Sequence, residues 1–77
     1  MAGRHRAAVE AFLEKATGTP VEKEALRGLA DRWDVIEKSG EGAGQVPQIA
    51  AVLLQAAEKL TIPEEDALAA LEAELAR

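Results

Sequence analysis

Apolar residues recur at steps of three and four positions in four separate segments of this 77-residue sequence. That spacing puts them on one face of a helix, because an α-helix makes one turn in about 3.6 residues. Glycine or proline lies near the ends of these segments, where helices stop and start. The sequence therefore predicts an all-α fold, a small bundle of about four short helices. Their approximate ranges are residues 4–16, 20–38, 47–60 and 62–76, within one domain that spans residues 1–77.

The amino-acid composition favours helices over strands. Alanine and leucine, with 17 and nine copies, dominate the apolar residues. Both residue types are strong helix formers, whereas strands prefer β-branched and aromatic side chains. The second predicted helix also has a clear start, because Thr19, Pro20 and Glu22 have the spacing of a capping box with proline in the first turn. Thr61 and Glu64 repeat that spacing before the fourth helix.

Each predicted helix has an apolar stripe that would face the core. The stripes are Val9, Phe12, Leu13 and Ala16; Val21, Leu26, Leu29, Trp33 and Ile36; Ile49, Val52, Leu53, Ala56 and Leu60; and Leu68, Leu71 and Leu75. Further apolar residues widen the third stripe, which predicts that helix 3 is the most completely buried. On helix 2, Arg27 and Asp31, and likewise Asp34 and Lys38, have the spacing of helical ion pairs. Gly28 should weaken that helix by about 1 kcal/mol relative to alanine, unless another helix crosses it closely.

Two segments are predicted to lie outside the helices. Residues 39–46 form a glycine-rich connector, which we predict to be the main hinge of the chain. A phosphate-binding loop is a poor alternative there, because neither dinucleotide nor P-loop spacing is met and Glu41 would repel an anion. Residues 1–5 are predicted to form a flexible basic arm.

Few side chains could carry out chemistry. The chain has no cysteine or tyrosine, His5 is its one histidine and Ser39 its one serine. His5 is expected to be solvated at a frayed terminus, and nothing in the pattern brings Ser39, His5 and Asp31 together as a catalytic triad. The acidic residues fall on polar faces or in first helical turns, where carboxylates stay ionised. We therefore predict that the protein is not an enzyme, with no catalytic, cofactor-binding or metal-binding residues.

The composition also bears on location and assembly. No apolar run reaches the length of about 18 residues that a membrane span needs, and Glu10 interrupts any secretory signal. We expect a cytoplasmic protein with no membrane contact. Chains below about 70–80 residues seldom bury enough core alone, and this one has no cysteine for disulfides. Self-association into a homo-oligomer is therefore expected.

The function that remains is a non-enzymatic helical module for protein–protein interaction or oligomerisation, with an unidentified protein partner. The candidate interface consists of Trp33, Leu68, Leu71 and Leu75. A half-exposed tryptophan makes a good interface anchor, and an amphipathic helix can lie in a partner's groove. The alternative for these side chains is packing inside their own chain, where their helical spacing also places them.

A small nucleic-acid-associated protein, such as a phage packaging protein or a DNA-binding regulator, is the alternative function. The net charge of −5 opposes it, because affinity for a polyanion depends on lysine and arginine. Under this alternative, the nucleic-acid contacts would be Arg4, Arg6, Lys23 and Arg27, which are the local clusters of basic residues.

The segments 25–34 and 48–54, separated by a glycine-rich gap, resemble helical parts of the small terminase subunits of phages that infect actinobacteria. The resemblance covers about 30 residues and includes no diagnostic motif. It implies a helical protein that assembles into rings and recognises viral DNA. This chain is shorter and acidic and has no evident DNA-reading helix, so its composition agrees only with the oligomer-forming part of that expectation.

Overall fold

Four α-helices make up most of residues 3–60 and 66–76, which the computed structural model describes. They are α1 (Arg4–Lys15), α2 (Pro20–Ser39), α3 (Val46–Glu58) and α4 (Ala67–Leu75), and no β-strand occurs within these two ranges. The predicted all-α bundle is confirmed. Residues 62–65 of the predicted fourth helix, and the second capping box at Thr61 and Glu64, lie outside the described residues.

The capping box predicted at the start of α2 is present. The Thr19 hydroxyl accepts the Glu22 N–H at 3.1 Å, and the Glu22 carboxylate accepts the Thr19 N–H at 2.8 Å. The hydrogen bond from the Thr19 backbone holds the pKa of Glu22 below its ordinary value. At the other end, Gly40 adopts the left-handed conformation with φ 76°, and its N–H donates to the Ile36 carbonyl at 2.8 Å. Local sequence therefore fixes both ends of the longest helix.

The core forms where the helices meet in a chain of contacts. α1 packs against α2 and α4, α2 also packs against α3, and α3 makes a smaller contact with α4. Fifteen buried apolar side chains form one cluster: Val9, Phe12, Leu13, Ala16, Leu26, Ala30, Trp33, Ile36, Ile49, Leu53, Ala57, Leu60, Ala67, Leu71 and Leu75. All four residues of the predicted α1 stripe belong to this cluster. The helical periodicity of α1 therefore identifies its buried face correctly.

Two features of the predicted stripes are wrong. Val21 on α2 is 78% exposed, because it lies in the first turn beside solvent. α3 is not the most completely buried helix, since only Ile49, Leu53 and Ala57 of its residues are buried and Val52 remains 42% exposed. The apolar stripe of α3 is wider than its packing neighbours can cover. One side of α3 therefore remains exposed to solvent.

Gly28 has open space around it, and this leads to a stability prediction. A Cβ at this position would meet nothing within 4 Å, so no other helix crosses α2 there. Gly28→Ala should raise the free energy of unfolding by about 0.5–1 kcal/mol, because alanine has the higher helix propensity and no clash opposes it. Urea unfolding followed by circular dichroism measures this change. A loss of stability would contradict the open environment of Gly28.

The glycine-rich connector contains ordered local structure. Gly42 is left-handed with φ 84°, and a 3₁₀ turn over Ala43–Gln45 leads directly into α3. The Arg32 guanidinium donates to the Gln45 side-chain oxygen at 3.0 Å, which attaches the end of the connector to α2. A hinge in this segment stays a prediction.

Candidate functional site

The start of α1 differs most from the sequence prediction. Residues 4 and 5 of the predicted flexible basic arm belong to α1, while residues 1 and 2 lie outside the described residues. His5 was expected to be solvated, yet it is only 1% exposed. Its ring stacks on Trp33 with centroids 3.9 Å apart and planes 11° apart. The prediction of a solvated His5 is wrong, because Trp33 on α2 supplies an apolar face for it.

Asp34 on α2 caps the N-terminus of α1. Its Oδ1 accepts the His5 N–H at 2.9 Å, and its Oδ2 accepts the Arg6 N–H at 2.9 Å. The N-cap position of α1 is Gly3, which has no side chain to make such bonds. A Cβ on Gly3 would overlap the Asp34 carboxylate, so glycine permits the close approach. A carboxylate here also lies at the positive end of the helix dipole.

The hydrogen-bond partners of His5 define which of its ring nitrogens carries the proton. Nδ1 lies 3.0 Å from Asp34 Oδ1 and 3.0 Å from Glu37 Oε1. Ionised carboxylates only accept hydrogen bonds, so Nδ1 must carry the hydrogen. Nε2 lies 3.2 Å from a nitrogen of the Arg4 guanidinium, which only donates, so Nε2 accepts. Through these contacts the His5 ring joins α1 to α2.

Arginine and carboxylate side chains form a second cluster between α1 and α2. The Arg6 and Arg27 guanidinium groups both donate to Glu10 Oε1, and Arg6 also donates to Asp31. The hydrogen bond from Arg27, followed by that from Arg6, lowers the pKa of Glu10. The hydrogen bonds to Asp31 and then Glu10 raise the pKa of Arg6.

The helical ion pairs predicted within α2 are therefore wrong. Arg27 contacts Glu10 and Glu24 rather than Asp31. Asp34 accepts the N–H groups of α1 rather than pairing with Lys38. A group on α1 replaces the neighbour one turn along α2 in both cases: the Glu10 carboxylate for Arg27, and the backbone N–H groups of His5 and Arg6 for Asp34. Tertiary contacts thus override the local spacing rule.

These contacts bear directly on the predicted nucleic-acid residues. Arg6 and Arg27 hydrogen-bond to carboxylates, and Arg4 contacts His5. Lys23 is partly buried on α2. A phosphate group would have to compete with carboxylates that already neutralise Arg6 and Arg27. No observation in the described residues favours the nucleic-acid alternative.

The predicted partner interface does not lie on the surface of the folded chain. Trp33, Leu71 and Leu75 are buried in the core cluster, and Leu68 is partly buried against it. Packing within the chain, the alternative to an interface role, accounts for all four side chains. In the single chain α1 packs on α4 and His5 stacks on Trp33, so these side chains face the core, and their role in binding a partner stays a prediction.

The exposed apolar surface lies instead on α3, where sequence reasoning predicted burial. Gln48, Ala51, Val52 and Gln55 are all exposed and share one side of the helix, and we call this set the α3 face. No charged residue occurs between Glu41 and Glu58, although charged residues make up 30% of the chain. The sequence feature that indicates this surface is a stretch of 16 residues without charge, residues 42–57.

Two open grooves flank the α3 face where it meets α2. One has a volume of about 380 Å³ and is lined by Leu29, Arg32, Gln45, Gln48, Ile49 and Val52. The other has a volume of about 310 Å³ and is lined by Glu22, Ala25, Val52, Gln55, Ala56 and Lys59. Val52 borders both grooves. The charged groups therefore lie at the two ends of this surface, with an uncharged centre between them.

The residues considered for catalysis do not come together in the described part of the chain. The Ser39 hydroxyl accepts the Glu41 N–H at 3.2 Å, and His5 bonds to Asp34 rather than to Asp31. Within residues 3–60 and 66–76, no group of three histidine or acidic side chains is arranged to hold a metal ion. None of the helices described there has the length and hydropathy needed to span a membrane.

No protein-family model, curated protein or solved structure matches the chain. The resemblance to small terminase subunits therefore stays a prediction.

Proposed function

We propose that this protein is a non-enzymatic helical module that self-associates through the α3 face. The observation that carries the proposal is the absence of charge on an exposed helix surface, Gln48, Ala51, Val52 and Gln55. The centres of protein interfaces are depleted in charged residues, because an unpaired charge is costly to remove from water. The proposed location is the cytoplasm, as the sequence analysis expects.

A second copy of the chain is the partner that best fits this surface. The chain has a net charge of −5, so two copies repel each other at most orientations. Contact through the α3 face brings together the helix surface that carries no charge. Its glutamine amides can donate and accept hydrogen bonds, so two identical surfaces can satisfy each other.

Val52→Glu should weaken self-association by about tenfold or more, because each copy would then bury an unpaired carboxylate in the contact. Val52 is exposed in the single chain, and glutamate is a good helix former, so the fold should persist. Sedimentation velocity at concentrations from about 1 µM to 1 mM measures association, and circular dichroism checks the fold.

Val35→Glu is the matched control. Val35 is 63% exposed on α2 and lines a groove with Arg4, Asp31 and Lys38, away from the α3 face. The same chemical change there should leave self-association unchanged. A wild-type chain that stays monomeric over the whole concentration range would contradict the proposal. An equal effect of both substitutions would show that net charge, rather than the α3 face, controls association.

A further inference from the structure

Within the described part of the chain, His5 is the only buried side chain that can gain a charge. Trp33 stacks on one face of its ring, with centroids 3.9 Å apart. Carboxylate oxygens of Asp34 and Glu37 each lie 3.0 Å from Nδ1, and a guanidinium nitrogen of Arg4 lies 3.2 Å from Nε2. Histidine is the side chain whose charge ordinarily changes between about pH 5 and pH 8. A proton gained by this ring must therefore be accommodated inside the contact between α1 and α2.

The two ring nitrogens respond differently to that proton. Nδ1 already donates toward the carboxylates of Asp34 and Glu37, and a positive charge on the ring strengthens both contacts. The face of the Trp33 indole also attracts a cation. Nε2 differs, because a protonated Nε2 donates a hydrogen bond and the guanidinium beside it can only donate as well. The Arg4 contact and a protonated Nε2 therefore exclude each other.

We propose that protonation of His5 is a pH-sensitive switch that moves Arg4 and leaves the ring in place. The proton comes from water and binds to Nε2, where it replaces the hydrogen bond from Arg4. The Arg4 side chain is exposed, so its guanidinium can turn toward solvent at small cost. The ring is only 1% exposed and is held by two carboxylates and an indole, so it stays. The switch depends on α1 and α2 and does not rest on the proposed self-association.

The movement of Arg4 changes the charge of a groove beside the ring. This groove has a volume of about 510 Å³, and neither α3 nor α4 contributes a described residue to its lining. Its charged lining groups are Arg4, Asp31, Asp34, Glu37 and Lys38. As the pH falls, His5 supplies the positive charge that faces Asp34 and Glu37, and the groove loses one of its two cationic side chains.

NMR of the wild-type chain with ¹⁵N-labelled histidine follows the switch directly, because His5 is the only histidine and Trp33 the only tryptophan. Between about pH 8 and pH 5, the Nε2 signal should change from that of an unprotonated to that of a protonated nitrogen. Nuclear Overhauser contacts between the His5 ring and the indole should persist through the titration. Contacts between the ring and the Arg4 side chain should be lost.

Three variants test which groups control the titration. Arg4→Met should move its midpoint to higher pH, because the cation that opposes protonation of Nε2 is gone. Lys38→Met is the matched control, since it removes the same charge from the same groove and leaves the hydrogen-bond partners of His5 in place. Its effect should be clearly smaller. Glu37→Gln should move the midpoint to lower pH, because one carboxylate beside Nδ1 is lost while Asp34 still caps α1.

Four results would overturn the switch. Loss of the contacts between ring and indole at low pH would show that the whole ring leaves. Arg4 contacts that survive protonation would show that the two states are compatible. Equal effects of Arg4→Met and Lys38→Met would show that the charge of the groove, rather than the bond at Nε2, controls the response. A ring that does not titrate over this range would also contradict the proposal. Each of these results is independent of whether the chain self-associates.

Discussion

Asp34→Ala is expected to lower the free energy of unfolding by about 2–4 kcal/mol. The carboxylate accepts the N–H groups of His5 and Arg6 and the Nδ1 hydrogen of His5, and its side chain is only 15% exposed. The substitution removes the cap of α1 and leaves the buried His5 without this acceptor. Urea unfolding at pH 7 followed by circular dichroism measures the loss.

Asp31→Ala is the matched control, one helical turn earlier on α2. Asp31 makes an exposed contact with Arg6 and caps no helix, so its removal should lower stability by less than about 1 kcal/mol. If the two substitutions have equal effects, Asp34 acts only as one more surface charge. In that case the capping of α1 by α2 would be wrong.

Trp33→Ala is expected to be the most destabilising single change, by about 3–5 kcal/mol. It removes a buried indole from the core cluster and also removes the surface on which His5 stacks. A domain of this size has a total stability of only about 4–12 kcal/mol, so this variant should be largely unfolded at mild urea concentrations. Circular dichroism measures the loss, since the variant has no tryptophan fluorescence.

Trp33→Phe separates loss of the stack from loss of the fold. Phenylalanine keeps an aromatic face for His5, so the expected loss is smaller, about 1–2 kcal/mol. Val35→Ala on the same helix should change stability by less than about 0.5 kcal/mol, because Val35 is exposed. A Trp33→Ala chain as stable as the wild type would show that the ring lies outside the core.

Local signals in the sequence predict the helices well. The capping box at Thr19 and Glu22 and the left-handed Gly40 depend on neighbours within a few residues, so the sequence identifies both ends of α2. The apolar stripe of α1 likewise depends only on spacing along one helix. These features do not require knowledge of which helices meet.

The position of His5 could not be obtained in this way. Its burial depends on Trp33, Asp34 and Glu37, which are about 30 residues away in sequence and come close only when α1 packs on α2. One sequence clue did exist. Gly3 offers no capping side chain, so the first N–H groups of α1 needed a partner from elsewhere.

The candidate surface was missed for a related reason. Periodicity shows that Val52 belongs to an apolar stripe, but it does not show how much of that stripe neighbouring helices cover. α3 contacts α2 on one side and makes only a smaller contact with α4, so part of the stripe remains exposed. The uncharged stretch in residues 42–57 was the more informative signal for an interface.

The central claim is that the α3 face joins two copies of the folded chain, and the concentration dependence of the thermal midpoint tests it most directly. Association stabilises the folded state by mass action, so the midpoint should rise across a hundredfold increase, from about 5 µM to 500 µM. The Val35→Glu chain should show the same rise, and the Val52→Glu chain should show a clearly smaller one. A wild-type midpoint that stays constant over this range would contradict the claim.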